Sequence, residues 1–195
     1  MTGLWFFTVL VGLVALERLA ELVVSRRNAA WSLSRGGVEA GRSHFPPMVV
    51  LHTGLLAGAL AEAWLARPAV PLALAASMFV LVLLAQGLRW WCIATLGRQW
   101  NTRVIVVPGL SLVRRGPYRL VPHPNYVAVV VEGFALPLVH WAWITALVFS
   151  VLNAGLLVVR IRVESAALRS LAGAGSTLRG RRFDAARAPA RRGGR

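Results

Sequence analysis

The chain has 195 residues, 57% of them hydrophobic, with a mean hydropathy of +0.62 and a formal charge of +15. That length gives one domain, and that apolar content excludes an ordinary water-soluble globule, which could not hide so much greasy surface. All 22 basic residues are arginine against seven acids, and Cys92 is the sole cysteine, so neither a disulfide framework nor a Cys-based zinc site can be built.

Leu4–Val24 opens the chain as an apolar run long enough to cross the ~30 Å hydrocarbon core of a bilayer. No basic residue precedes Arg18 and no convincing cleavage site follows, so the run reads as a span and not as a signal peptide. Glu17 and Glu21 share one face of it beside Arg18. They read either as a buried polar cluster tying helices together, with Arg89 or a histidine of another span, or as the lining of a substrate site. Glu132 in a later span is open to the same two readings.

Met48–Leu65 and Val70–Trp91 are the second and third spans, joined by the tight turn Ala66-Arg67-Pro68-Ala69. Glu62 reads as an interfacial residue near the outer end of the second span. His52 lies inside that span, and ionisable groups at membrane depth usually face the protein interior. His44, His52 and His140 fall in different segments and make no metal-ligand spacing, so no metal is expected. Tyr126–Val159 is a last apolar stretch broken at Pro137 and reads as two helices that return the chain to the face it left. The tryptophans gather near span ends, as an interfacial belt requires.

The arginines fall in the connections. Arg26, Arg27, Arg35 and Arg42 follow span one, Arg98, Arg103, Arg114, Arg115 and Arg119 follow span three, and Arg160, Arg162 and Arg169 follow the last. Only Arg67 lies on the other face. The positive-inside rule then gives an all-α, multi-pass integral membrane protein of about five spans, N-terminus out and C-terminus cytoplasmic. The expected organisation is a membrane domain over 1–171 and a basic, disordered tail over 172–195 resting on anionic lipid headgroups. Neither a nucleic-acid partner nor an obligate protein partner is expected.

Between spans three and four lies Gly116-Pro117-Tyr118-Arg119-Leu120-Val121-Pro122-His123-Pro124-Asn125-Tyr126. Its backbone groups cannot be left unpaired in lipid, so the segment belongs at a membrane face. With Leu112-Val113 before it and Arg160 and Glu164 after the last span, it resembles the signature of the isoprenylcysteine carboxyl methyltransferase superfamily. That signature runs Leu-Val, Gly-x-Tyr, Arg-His-Pro-x-Tyr, an apolar hairpin and Arg-x-x-x-Glu-Glu. Two letters depart from it: Pro122 stands for the arginine and Ser165 for the second glutamate.

The resemblance implies a cytoplasm-facing pocket for S-adenosylmethionine. It assigns cofactor binding to Leu112, Val113, Tyr118, the turn His123-Pro124-Asn125-Tyr126, and Glu164, and sets Arg160 toward the acceptor. Arg119 could stand in for the charge missing at Pro122. Further pieces are similar to the bacterial branch that O-methylates alkylpyrones or alkylresorcinols: Glu17–Glu21, Ser25–Asn28, Arg35–Glu39, His44–His52, Trp100–Val104 and Val107–Gly109. The implied function is methyl transfer to a lipidic acceptor, an alkylpyrone or phenolic polyketide lipid first, a prenylcysteine carboxylate second and a phospholipid amine third. A sterol-reductase-like protein using NADPH and a non-catalytic membrane protein remain the rivals from other classes.

Overall fold

A computed structural model describes the backbone of residues 2–187 apart from residue 111, and side chains through Arg169. The tail expected from Ala172 therefore lies outside the side chains described. Five helices make up the body: α1 (Thr2–Ser34), α2 (Phe45–Ala66), α3 (Leu72–Leu96), α4 (Pro124–Leu138) and α5 (Trp143–Arg187). The protein is an all-α, multi-pass membrane protein. Among the described residues the one sheet is a small antiparallel pair, β1 (Val38–Ala40) with β2 (Val104–Val106), aligned Val38 to Val106 and Ala40 to Val104.

Proline and left-handed residues set the helix limits. Pro46 and Pro47 occupy the first turn of α2 and Pro124 begins α4, where a missing N–H costs nothing. Arg67, at φ 46°, ends α2 and turns the chain toward α3. Pro137 cannot continue α4 for long, and the helix stops at Leu138. Trp141, at φ 59°, then reverses the chain into α5.

Among the described residues three stretches are long and apolar enough to cross a membrane: Arg42–Ala66, Leu72–Gln99 and Trp143–Arg169. α4, with 15 residues, is about 22 Å long at 1.5 Å per residue and falls short of the ~30 Å core. α1 is apolar as far as Glu17 and continues as helix through Arg26 and Arg27, which thus belong to its last turns and not to a connection. The break at Pro137 is where the sequence puts it, but the second helix of the pair runs on without interruption past Arg160 and Glu164.

Small residues bring the helices together. Ala59, Ala63, Ala135 and Ala142 are fully buried beside Phe7, Val11 and Leu136. A side chain at Gly133 would run into the ring of Phe149, so glycine there sets how closely α4 and α5 approach. In lipid, where apolar burial supplies little drive between helices, such close backbone packing is the main cohesive force. Outward, Val9, Leu13, Leu16, Val80, Leu84, Val148 and Leu152 are exposed, as lipid-facing residues must be.

A buried ionic network crosses this apolar body. Arg18 reaches Glu21 at 2.7 Å and Glu132 at 2.8 Å, Arg89 pairs with Glu132, and Arg89 lies 3.5 Å from Glu21. Gln86 and Trp90 both donate to Glu17. The helix-tying cluster is present and joins α1, α3 and α4, and Glu21 and Arg18 of it also line a small cavity between the helices. Glu62 is more than interfacial: it accepts from the backbone N–H of Ile144 (3.0 Å) and Thr145 (2.8 Å) and from the Thr145 hydroxyl (2.8 Å), capping the first turn of α5.

Candidate functional site

The polar loop folds onto the end of α3. Gly116 has φ 55°, and a Cβ there would come within 2.7 Å of the Thr95 hydroxyl, so both backbone and space call for glycine. It starts the single 3-10 turn Gly116–Arg119, which seats Tyr118 in the wall of a cavity. Burial, reinforced by the neighbouring Cys92 thiol, pushes the Tyr118 phenol far above its ordinary value, so it stays a neutral hydroxyl. Cys92 itself is buried.

Where α4 begins, the His123 ring stacks on Tyr126 with centroids 5.2 Å apart. One turn of α5 faces them with Arg160 and Glu164. The four-apart spacing suggests an ion pair between these two, but each turns to other partners. Arg160 gives its Nε hydrogen to the Tyr126 hydroxyl at 2.9 Å, Nη2 to the Thr102 carbonyl at 2.5 Å, and approaches the Met48 sulfur through Nη1 at 2.8 Å. Tyr126 in turn donates to Glu164, and His123 Nδ1 lies 3.8 Å from the same carboxylate. Thr102 is itself fixed to α1, its N–H donating to the Ser25 hydroxyl at 3.0 Å. Residues of α2, α4 and the segment before β2 thus converge on the Arg160 guanidinium of α5, with α1 bracing Thr102 from behind.

His123, Tyr126, Arg160 and Glu164 border a cavity of about 1220 Å³. Leu112, Val113, Tyr118, His123, Asn125, Tyr126, Arg160 and Glu164 all line it, so the structure brings together every site residue expected from the sequence except Pro124. Pro124 is fully buried as the first residue of α4, where its role is to start the helix. Pro122, Ser165 and Arg119 also line the cavity, so a charge does stand near the place where the family motif has its arginine.

Sequence reasoning missed the wall contributed by Trp100, Asn101 and Val104–Val106. The available signal was Asn101-Thr102-Arg103, a polar run directly after a span. The oxygens Asn101 Oδ1 and Asn125 Oδ1 are buried without a hydrogen-bond partner, a costly arrangement that a ligand donor would relieve. A second, mostly apolar cavity of about 150 Å³ shares Trp100, Asn125, Tyr126 and Arg160 with the first and extends between the helices to Leu56, Val129 and Leu156.

Residues 77–170, from α3 through the described part of α5, match the model of the isoprenylcysteine carboxyl methyltransferase (ICMT) family. The chain is also 37% identical over 163 residues, 84% of its length and 96% of the relative's, to "Uncharacterized protein YpbQ" of Bacillus subtilis (strain 168). The chain belongs to the ICMT family. No solved structure matches it.

ICMT family members are membrane-embedded methyltransferases that use S-adenosylmethionine as methyl donor. The matched ICMT segment contains every site residue expected from the sequence. The residues present fit such a cofactor. The cavity exceeds the ~300–1,000 Å³ usual for ligand sites. The Glu164 carboxylate offers charge for a cationic amino group, and the two unpartnered asparagine oxygens offer acceptors for amino or hydroxyl hydrogens.

Proposed function

We propose that this protein is an S-adenosylmethionine-dependent O-methyltransferase acting on a lipidic acceptor in the membrane, an alkylpyrone or phenolic polyketide lipid. The observation that carries the reading is the position of Arg160 and Tyr126 on both cavities, one roomy and polar, the other small, apolar and set between helices. A water-soluble donor entering one and a lipid entering the other would meet at that pair.

The bound cofactor supplies an electrophilic methyl carbon on a sulfonium that is already a good leaving group. The protein's work is therefore alignment and charge. Leu112, Val113, Tyr118 and the turn His123–Tyr126 enclose the donor, with Asn125 among its polar contacts and Pro124 holding the turn in shape. Glu164 pairs with its amino group. Arg160, fixed by Tyr126, Thr102 and Met48, steadies negative charge on the acceptor oxygen as the methyl group arrives. Arg119 supplies the charge absent at Pro122. The polyketide branch is supported by the motifs around Glu17–Glu21 and His44–His52. A prenylcysteine carboxylate is the second acceptor, favoured by the family match itself.

The arginine-rich connections support an N-terminus outside, the large cavity on the cytoplasmic side and the stretch from Ala172 against anionic headgroups. The test is to feed labelled S-adenosylmethionine to membranes containing the protein and identify the lipid that gains the methyl group. A lipid labelled above an Arg160→Ala control supports the reading. No such lipid, or binding of NADPH in place of S-adenosylmethionine, overturns it.

A further inference from the structure

The small cavity has a polar feature that methyl-donor binding leaves unused. His52 lines it about 10 Å along α2 from Phe45, at 1.5 Å per residue. Its Nδ1 lies 2.8 Å from the Met48 carbonyl oxygen. A carbonyl only accepts, so Nδ1 carries the hydrogen, and the neutral ring keeps its lone pair on Nε2. Among the described residues Nε2 has no hydrogen-bond partner. The ring's orientation is fixed by the edge-on contact with Phe149, centroids 5.3 Å apart at 86°. Met48 also touches Arg160 through its sulfur, so one residue positions both His52 and Arg160 beside the same space.

The rest of the lining points to the kind of group that fits. Arg18 and Arg89 are taken by Glu21 and Glu132, so among the arginines lining this cavity it is Arg160, held by Tyr126, Thr102 and the Met48 sulfur, that keeps N–H groups for an acceptor oxygen. Asn125 Oδ1, on this cavity, is a buried acceptor lacking a hydrogen bond, and Glu21 Oε1 has only the 3.5 Å ion-pair contact with Arg89 Nε. A site rich in idle acceptors favours a guest that brings a hydrogen. The volume, about 150 Å³, is that of an engineered apolar cavity known to hold benzene, so it suits one six-membered ring, with any chain passing out between helices.

We infer that this cavity seats a hydroxyl-bearing ring of a lipid, a phenol or enol, and that His52 Nε2 is the residue that accepts the hydroxyl proton. The inference rests on the methyl-transfer reading above and names a catalytic residue for it. In the step, the acceptor O–H bond breaks with its electron pair left on oxygen and its proton on Nε2. The oxygen–methyl bond forms, and the methyl–sulfur bond breaks with its electrons on sulfur. Glu132, whose charge reaches the ring as those of Arg18 and Arg89 do, partly offsets the charge the imidazole gains, and Arg160 steadies the oxygen until the bond is made.

The test uses the full chain in detergent with 3-pentadecylphenol and its methyl ether as probes, and no methyl donor. The phenol should bind about tenfold tighter than the ether, the scale of one buried hydrogen bond. His52→Ala should bring the phenol down to the ether's level and leave the ether unchanged, which a merely structural histidine would not do. His52→Gln, whose amide oxygen still accepts but cannot carry the proton on, should keep the preference for phenol. In a single turnover with labelled S-adenosylmethionine it should methylate the phenol at least tenfold more slowly than wild type. Equal binding of phenol and ether by wild type, or an unchanged preference in His52→Ala, overturns the assignment. Failure of wild type to bind S-adenosylmethionine overturns the methyl-transfer reading instead, and the donor-free comparison still judges His52.

Discussion

The Tyr126 hydroxyl stands between Arg160 and Glu164, accepting the Nε hydrogen of the first at 2.9 Å and giving its own to the second. One phenol thereby holds a guanidinium and a carboxylate in register without letting them pair directly. The arrangement links the proposed donor side to the proposed acceptor side, because Glu164 borders only the larger cavity and Arg160 borders both. Glu164 stays available to a cation, and Arg160 keeps N–H groups for an oxygen.

Tyr126→Phe removes that hydroxyl and keeps the ring that stacks on His123. A hydrogen bond to a charged group contributes about 1.5–3 kcal/mol, so the expected result is a fall of roughly 10- to 150-fold in methyl transfer from labelled S-adenosylmethionine. Thermal stability in detergent should move by less than the rate does. An unchanged rate would mean that the link between Arg160 and Glu164 has no part in transfer.

Arg160→Lys keeps a positive charge but not the planar fork that meets Tyr126, Thr102 and Met48 at once. If the fixed guanidinium is what steadies the acceptor oxygen, lysine should be nearly as poor as alanine. Loss of one such donor typically costs about 100- to 1,000-fold in kcat. The measurement is kcat for both variants beside their affinity for S-adenosylmethionine, which should change little. A lysine variant retaining most activity would reduce the role of Arg160 to net charge.

The helices and the outline of the site were legible in the sequence because apolar length and the prolines at Pro46, Pro124 and Pro137 fix them locally. Eight of the nine expected site residues line one cavity because the motif sits on a loop and a helix exit that must lie side by side. What could not be read were partners chosen in three dimensions. Arg160 and Glu164, four apart on a helix, look like an ion pair, and only folding brings Tyr126 between them. Glu62 looks interfacial until the start of α5 arrives above it. Pro124 lies inside the motif, but folding buries it at the start of α4 behind the residues that line the cavity. The segment Trp100–Val106 carries no span, and although Trp100–Val104 resembles the bacterial branch, its place in the wall depends on the pairing of β2 with β1.

The network of Arg18, Arg89, Glu21 and Glu132 should behave as a unit. Arg89→Leu leaves Glu132 and Glu21 sharing one arginine in a buried setting, and breaking such a pair costs about 3–5 kcal/mol. A large drop in thermal stability in detergent is expected. Adding Glu132→Leu to Arg89→Leu should recover part of the loss, since the stranded charge goes with it. If the two losses simply add, the residues are not coupled as their distances suggest.

Glu62 offers the opposite case, a carboxylate whose work is purely architectural. It sits in α2, yet its oxygens take the hydrogens of the first amides of α5, where unpaired N–H groups and the helix dipole both favour negative charge. Glu62→Ala should lower stability by about 0.5–2 kcal/mol, the usual scale for losing an N-terminal cap. The middle of α5, which carries Arg160 and Glu164, lies about four to six helical turns away and should keep its place. Methyl transfer per folded molecule should then stay within about twofold of wild type while the thermal midpoint falls, since a loss on this scale leaves most of the chain folded. A rate that collapses with the midpoint unmoved would show that Glu62 reaches the chemistry and that the cap is not its main role.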